Sequence, residues 1–405
     1  MGSSRKETSK KAMTNGGRIY LDWNATAPLR KEARDAVNVA LELVGNPSSV
    51  HAEGRAARQV LEGARQQVVA LVGAPDSEVI FTSGGTEANQ LALSPGIEVE
   101  GDRLPRGVLM MSAIEHPSVR AGGRFAAGEI EDIPVAASGV VDLSSLAGRL
   151  ALLTVEGRRP LVSIMLANNE TGVIQPVAAA ADLVHEAGGI LHVDAVQAAG
   201  RIACDMNRLG ADLLTLSAHK LGGPKGVGAL IKGPRLHIAV PVIKGGGQER
   251  GARAGTENVA GIAGFGAAAE AARNALAADA LHMAALRDRI EAGIKTISPG
   301  AVIFGEGTQR LPNTTLFALA GMKAETALIA LDLAGVAVSS GSACSSGKVA
   351  PSHVLQAMGV AAELARGAIR LSLGFSTTES EADGFLKAWT TLVRTLSKGV
   401  HGIAA

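Results

Sequence analysis

Apolar positions recur at helical spacing in two early stretches. In residues 31–44, Ala33, Val37, Ala40, Leu41 and Val44 share a face, and in residues 54–72 Ala57, Val60, Leu61, Ala64, Val68 and Leu71 do the same. Both patterns predict amphipathic helices. From residue 78 the texture changes: short unbroken apolar runs at 79–81, 108–112, 161–167, 190–194, 213–217 and 228–231 alternate with helical stretches. Strands this apolar are buried on both faces, which predicts an α/β domain around a mostly parallel sheet. A glycine-rich stretch, 245–255, precedes an alanine-rich one, 258–294, whose composition suits a long helix between lobes. Beyond it, helix candidates at 325–334, 352–358 and 379–396 flank short strands near 313–317, 337–339 and 368–372, as in a smaller α+β lobe. The expected organisation is a flexible arm over 1–17, a large domain over 29–275, and a small domain built from 18–28 and 276–405.

Composition narrows the function. In 405 residues, 47% are apolar and 39 Lys+Arg nearly balance 38 Asp+Glu, for a net charge of +1. That excludes a disordered chain and offers no electrostatic footprint for nucleic acid or an anionic membrane. With aromatics at only 2%, base stacking has little to work with, so the expected partner is a small molecule. Fifty glycines without collagen period imply many turns and close backbone approaches. Two cysteines, Cys204 and Cys344, cannot build a disulfide framework and suit a reducing, cytoplasmic compartment. No apolar run approaches the roughly 20 residues of a membrane span. The polar start has no apolar core of a signal peptide and reads as an arm.

Three segments carry chemistry. Phe81-Thr82-Ser83-Gly84-Gly85-Thr86-Glu87 reads as a strand ending in a small-residue loop that opens a helix, where exposed N–H groups and the helix dipole attract phosphate; a plain tight turn is the bland alternative. Leu191-His192-Val193-Asp194 places a carboxylate at the end of a buried strand, where it needs a partner such as a protonated heteroaromatic nitrogen; a structural cap is the alternative there. Leu214-Thr215-Leu216-Ser217-Ala218-His219-Lys220 runs a strand into Ser, His and Lys, and a lysine beside phosphate-binding groups can lose its proton and form a Schiff base. Taken singly, such a lysine is usually a solvated charge.

In this order, and together with Gly45-Asn46-Pro47-Ser48-Ser49, Ile114-Glu115-His116-Pro117, Asn168-Asn169-Glu170-Thr171-Gly172, Arg253-Ala254-Gly255-Thr256 and Ser339-Ser340-Gly341-Ser342-Ala343-Cys344, the segments resemble the cysteine desulfurases of NifS/IscS type. These are pyridoxal-phosphate enzymes of fold type I, in the class V aminotransferase group. The likeness runs from Ile19 to about Leu396. It implies a large domain with a mostly parallel seven-stranded sheet, plus a smaller α+β domain carrying a cysteine loop. It also implies a homodimer that converts L-cysteine to L-alanine and passes sulfur to an acceptor or iron–sulfur scaffold protein.

The resemblance further implies residue roles. Lys220 would hold pyridoxal phosphate and shuttle the substrate Cα proton. Asp194 would pair with the pyridinium nitrogen, Gln197 with the phenolic oxygen, and His116 would stack on the ring and assist proton transfer. Gly85, Thr86, Ser217 and His219 would cup the phosphate, with Thr256 reaching over from the second subunit. Asn169 and Arg370 would clamp the substrate carboxylate, and Asn46 would line the same pocket. Cys344, among small residues, would receive the sulfur as a persulfide. Cys204 has no such surroundings and reads as inert. No residue is assigned to a metal. Trp23 departs from the family's usual residue and is expected to reshape the pocket rim or the scaffold surface. Three other readings have a basis: a selenocysteine lyase on the same fold, a scaffold or regulatory protein without catalysis, and a thiol hydrolase using Cys344 and His353. A dinucleotide-like match at Gly264-Phe265-Gly266 lies inside the alanine-rich helical stretch and follows no strand, which argues against an oxidoreductase.

Overall fold

The computed structural model describes residues 17–101, 106–341 and 352–401, with side chains to residue 395. Cys344 lies outside them. A seven-stranded sheet forms the centre, in the order Glu78–Thr82, Gly228–Lys232, Leu213–Ser217, Ile190–Asp194, Pro160–Ser163, Val108–Ser112, Ile130–Ile133. Gly228–Lys232 runs antiparallel to both of its neighbours, and every other pairing is parallel. The apolar runs become strands because both sheet faces are covered. Val193, Leu214 and Leu216 face one core with Val68 and Phe265, while Ile190, Leu213 and Leu230 face another with Leu91 and Leu93.

A second sheet, wholly antiparallel, has the order Ala301–Ile303, Thr314–Leu319, Ile369–Ser372, Ser339–Ser340. Its apolar face, with Phe317 and Leu371, packs on Phe385 and Trp389, Phe317 and Trp389 lying edge to face at 5.0 Å. The chain start joins this sheet's neighbourhood: Ile19–Tyr20 pairs in parallel with Val336–Ala337, and the Ser372 N–H donates to the Leu21 carbonyl. Trp23 is buried against Gly374 and Phe375 rather than displayed on a surface, so it shapes the interior behind the site.

The two cores share one element. The helix Val259–Ile297 places Ile262, Phe265, Ala268 and Ala269 in the large core and Met283, Leu286, Ile290 and Ile294 in the smaller one. At about 1.5 Å per residue it is long enough to tie both together. Its Gly264 and Gly266 lie mid-helix against Val37, Pro224 and Ala64, so they are packing glycines and hold no dinucleotide. Among the described residues no helix is long and apolar enough to cross a membrane.

Candidate active site

The chemistry gathers where the strands Ile190–Asp194 and Leu213–Ser217 end and the helix Gly85–Ala92 begins, around an open cavity of about 230 Å³. Gly85, Thr86, His116, Asn169, Asp194, Gln197, Ser217, His219 and Lys220 all line it, although the sequence scatters them over more than a hundred residues. Their convergence follows from the parallel sheet, whose crossovers return each strand end to one edge.

Lys220 closes a short 3₁₀ turn, Ala218–Lys220, directly after its strand. The chain doubles back because Gly222 takes a φ of +88° and a Cβ on Gly223 would come 3.0 Å from the Ala218 carbonyl oxygen. Lys220 Nζ donates to the carbonyl oxygens of Asn24 and, at 2.9 Å, of Ala25. Burial, with the nearby guanidinium groups of Arg201 and Arg370, pushes its pKa down to about 7; Asp22 and Asp194 pull weakly the other way. The amine is therefore substantially unprotonated near neutrality.

Asp194 ends its strand 5% exposed, accepting at Oδ1 from the Val196 N–H and at Oδ2 from Asn89 Nδ2, each at 2.9 Å. Gln197 is held at both ends of its amide: Arg201 Nη1 donates to Oε1 at 2.6 Å, and Nε2 donates to the Asn24 carbonyl at 3.1 Å. His116 caps the turn Pro117–Arg120, with Pro at the first helical position where a missing N–H costs nothing. Burial depresses its pKa, as do Lys220 and His353, against the pull of Asp194. His219 is pushed down to about 4 by burial and by Lys220, Lys225 and Arg201, so it enters the cavity neutral; its Nδ1 lies 3.2 Å from Thr26 Oγ1.

The helix Gly85–Ala92 has no side-chain cap, which leaves its first N–H groups open toward the cavity. A Cβ on Gly85 would meet Val196 Cγ2 at 3.1 Å and Ser217 Cβ at 3.4 Å, so a side chain there would crowd this cradle. An uncapped helix start with hydroxyls beside it, a buried carboxylate, an aromatic imidazole and an amine about half neutral near pH 7 form the donor set that pyridoxal phosphate needs. The residues fit the cofactor.

Arg370 stands behind the lining. Its Nη1 donates to the Asn169 carbonyl at 3.0 Å and its Nη2 to Asp22 Oδ1 at 2.8 Å, while Nε is buried without a partner among the described residues. Thr256 and Asn46 are not in this cavity within one chain. Thr256 lines a separate one with Thr82 and Arg253, and Asn46 is exposed, its Oδ1 accepting from the Ser48 N–H. His353 Nε2 donates to the Glu115 carbonyl at 2.9 Å.

Several contributors escaped the sequence reading. Asn24 links the lobes: its Nδ2 donates to the Asn169 carbonyl and Thr314 Oγ1, and its N–H to Ser372 Oγ. Asn89 and Ser118 line the cavity beside Asp194 and His116, and Arg201 braces Gln197. Asn24 lies beside Trp23 and Asn89 two residues past the segment 81–87, but the partners that give them a role are far away in sequence, so no local signal singles them out.

Comparison with known proteins agrees with this geometry. The model of the class-V aminotransferase family matches residues 19–385. A cysteine desulfurase of Cereibacter sphaeroides is 44% identical over 93% of this chain and 96% of its own length. The cysteine desulfurase NifS of Azotobacter vinelandii is 40% identical over 93% of each chain. A solved NifS-like protein from Rickettsia africae superposes with a TM-score of 0.84 at 35% identity, covering 93% of this chain and 99% of its own. With the cavity, the sheet and the sequence all in agreement, the chain belongs to the class-V aminotransferase family.

Proposed function

We propose that the protein is a pyridoxal-phosphate-dependent cysteine desulfurase, which converts L-cysteine to L-alanine and transfers the sulfur through Cys344 to an acceptor protein. The observation that carries this reading is Lys220, a buried amine with a pKa of about 7, in one cavity with Asp194 and an open helix start. Relatives 40–44% identical over most of the chain are named cysteine desulfurases, and their names favour neither a selenocysteine lyase nor a silent scaffold.

Pyridoxal phosphate, when bound, supplies the electron sink that makes the substrate's Cα proton and Cβ–S bond labile. Lys220 would hold it covalently, Gly85, Thr86, Ser217 and His219 would take its phosphate, and Asp194 and Gln197 its ring. Lys220 Nζ, with its pKa near 7, would take the Cα proton and return it. His116 would cover the ring and assist the proton transfer. Arg370 and Asn169 would bind the substrate carboxylate; the Arg370 fork is already shared with Asp22, so substrate would exchange for that carboxylate. The Cys344 thiolate attacks the substrate sulfur, an S–S bond forms as Cβ–S breaks, and the carbon side takes up a proton to leave as alanine. Cysteine and the Cys344 thiol thus become alanine and a Cys344 persulfide, with atoms and electrons balanced. The reading includes a cytoplasmic homodimer in which Thr256 would complete the partner's site, and an iron–sulfur scaffold or other thio-cofactor pathway as the destination of the sulfur.

The test is Lys220→Ala. The wild-type protein should absorb in the visible and form alanine from L-cysteine; the variant should lose that absorbance and at least about 100-fold in turnover. Unchanged colour and turnover in the variant would sink the assignment.

A further inference from the structure

Beneath the cavity, four polar side chains are wired through one buried amide. Asn89, 1% exposed, spends both Nδ2 hydrogens: one on Asp194 Oδ2 and one on Ser118 Oγ, each at 2.9 Å. Its Oδ1 accepts from the Thr215 hydroxyl at 2.7 Å. An ionised carboxylate can only accept, which fixes the NH₂ side of the amide toward Asp194. Ser118 Oγ therefore receives a hydrogen from Asn89 and has its own to give. The acceptor it faces is His116 Nδ1 at 2.8 Å, and the Ser118 backbone N–H approaches the same nitrogen at 3.2 Å. A ring nitrogen facing two donors must present its lone pair.

We propose that Asn89 and Ser118 are positioning residues that lock His116 as the Nε2–H tautomer and join its ring to the amide that orients Asp194. The proton of the neutral ring is thereby placed on Nε2, which makes no hydrogen bond among the described residues, while Nδ1 is engaged beneath. The neutral ring then offers Nε2–H to the cavity as a hydrogen-bond donor and can take up a further proton only at Nδ1. Protonation there would set an N–H against the Ser118 backbone N–H and force the hydroxyl to reverse, so the network works in the same direction as burial in keeping the imidazole neutral; Asp194, Lys220 and His353 are the titratable groups that face it. Asn89, Ser118 and Thr215 reach this arrangement from a helix, a turn and a strand, so only the folded sheet edge builds it. The consequence for desulfuration rests on the function proposed above; the tautomer does not.

The test is nitrogen NMR of the whole holoenzyme with ¹⁵N-labelled histidine, the His116 signals being assigned by their loss in His116→Gln. In the wild type at pH 8, Nδ1 should show the shift of an unprotonated ring nitrogen and Nε2 that of a protonated one. Ser118→Ala removes one donor to Nδ1, and the titration midpoint of His116 should rise by about 0.5–1 pH unit, the effect of a single lost hydrogen bond. Ser118→Thr, which keeps the hydroxyl, should restore the wild-type midpoint. Asn89→Leu should shift His116 as well, although it does not touch the ring. A wild-type His116 protonated at Nδ1, or a midpoint unmoved in Ser118→Ala, overturns the proposal. Loss of the desulfurase reading would instead appear as a wild-type protein with the expected tautomer and no alanine from L-cysteine.

Discussion

Glu170 shows how much a single buried group can register of its surroundings. Burial drives its carboxyl up to about 7, more than the Ser352 hydroxyl, donating at 2.5 Å, and the charge of Arg370 can offset. A Cβ on Gly341 would lie 2.9 Å from the same carboxylate oxygen, so both chain ends flanking the cysteine segment meet it. A carboxyl whose pKa is raised on folding contributes stability that is present below its unfolded value, near 4.5, and lost as pH climbs through about 7. Glu170→Gln removes that titration. The melting temperature of the variant relative to wild type should therefore rise between pH 5 and pH 8, by the equivalent of on the order of 3 kcal/mol. Thermal unfolding at the two pH values checks this, and a difference independent of pH would refute it. Cys204 is a quieter case: buried, its thiol pushed up to about 12 and pointed at the Ile202 carbonyl at 3.5 Å, it has no thiolate to offer.

Among the elements, the long helix Val259–Ile297 packs closely on its neighbours. A Cβ on Gly266 would fall 2.6 Å from Ala64 Cα, and one on Gly264 would fall 2.6 Å from Val37 Cγ2 and 2.7 Å from Pro224 Cγ. Gly266→Val should cost about 3 kcal/mol or more, because backbone on the neighbouring helix would have to move, whereas Gly148→Ala on the helix Leu143–Val155, with open space around it, should be neutral or stabilising. Urea unfolding of the two variants tests the comparison, and equal effects would contradict it. The same packing explains which elements the sequence disclosed. Strands buried on both faces, such as Val108–Ser112 and Leu213–Ser217, stand out as unbroken apolar runs. Ile130–Ile133 reads Ile-Glu-Asp-Ile, an edge strand with two polar residues, and gives no such signal. The run 161–167 continues past the strand Pro160–Ser163 because Ile164 and Leu166 still donate to the carbonyls of His192 and Asp194 while the chain leaves regular geometry.

Across the whole molecule, the site forms where the central sheet meets the chain start and the second sheet, and this explains what a linear reading can and cannot find. Motif residues such as Lys220, Asp194 and His116 declare themselves through their immediate neighbours. Asn24, Asn89 and Arg201 do not, since their roles exist only through partners such as Asp194, which lies 105 residues from Asn89, or Lys220, which lies 196 from Asn24. Within one chain Thr256 lines a separate cavity and Asn46 is exposed, so neither joins the Lys220 cavity that the family resemblance implied for Asn46. In the proposed reaction Lys220 and Asp194 would prepare the substrate while Cys344 alone would take its sulfur. The most direct measurement is alanine release together with persulfide labelling in wild type, Cys344→Ala and Cys204→Ala. Wild type and Cys204→Ala should both release alanine and carry label on Cys344, and Cys344→Ala should keep cofactor colour and its spectral response to L-cysteine while losing alanine release and label by at least about 100-fold. Normal turnover in Cys344→Ala, or label on Cys204, would contradict the account.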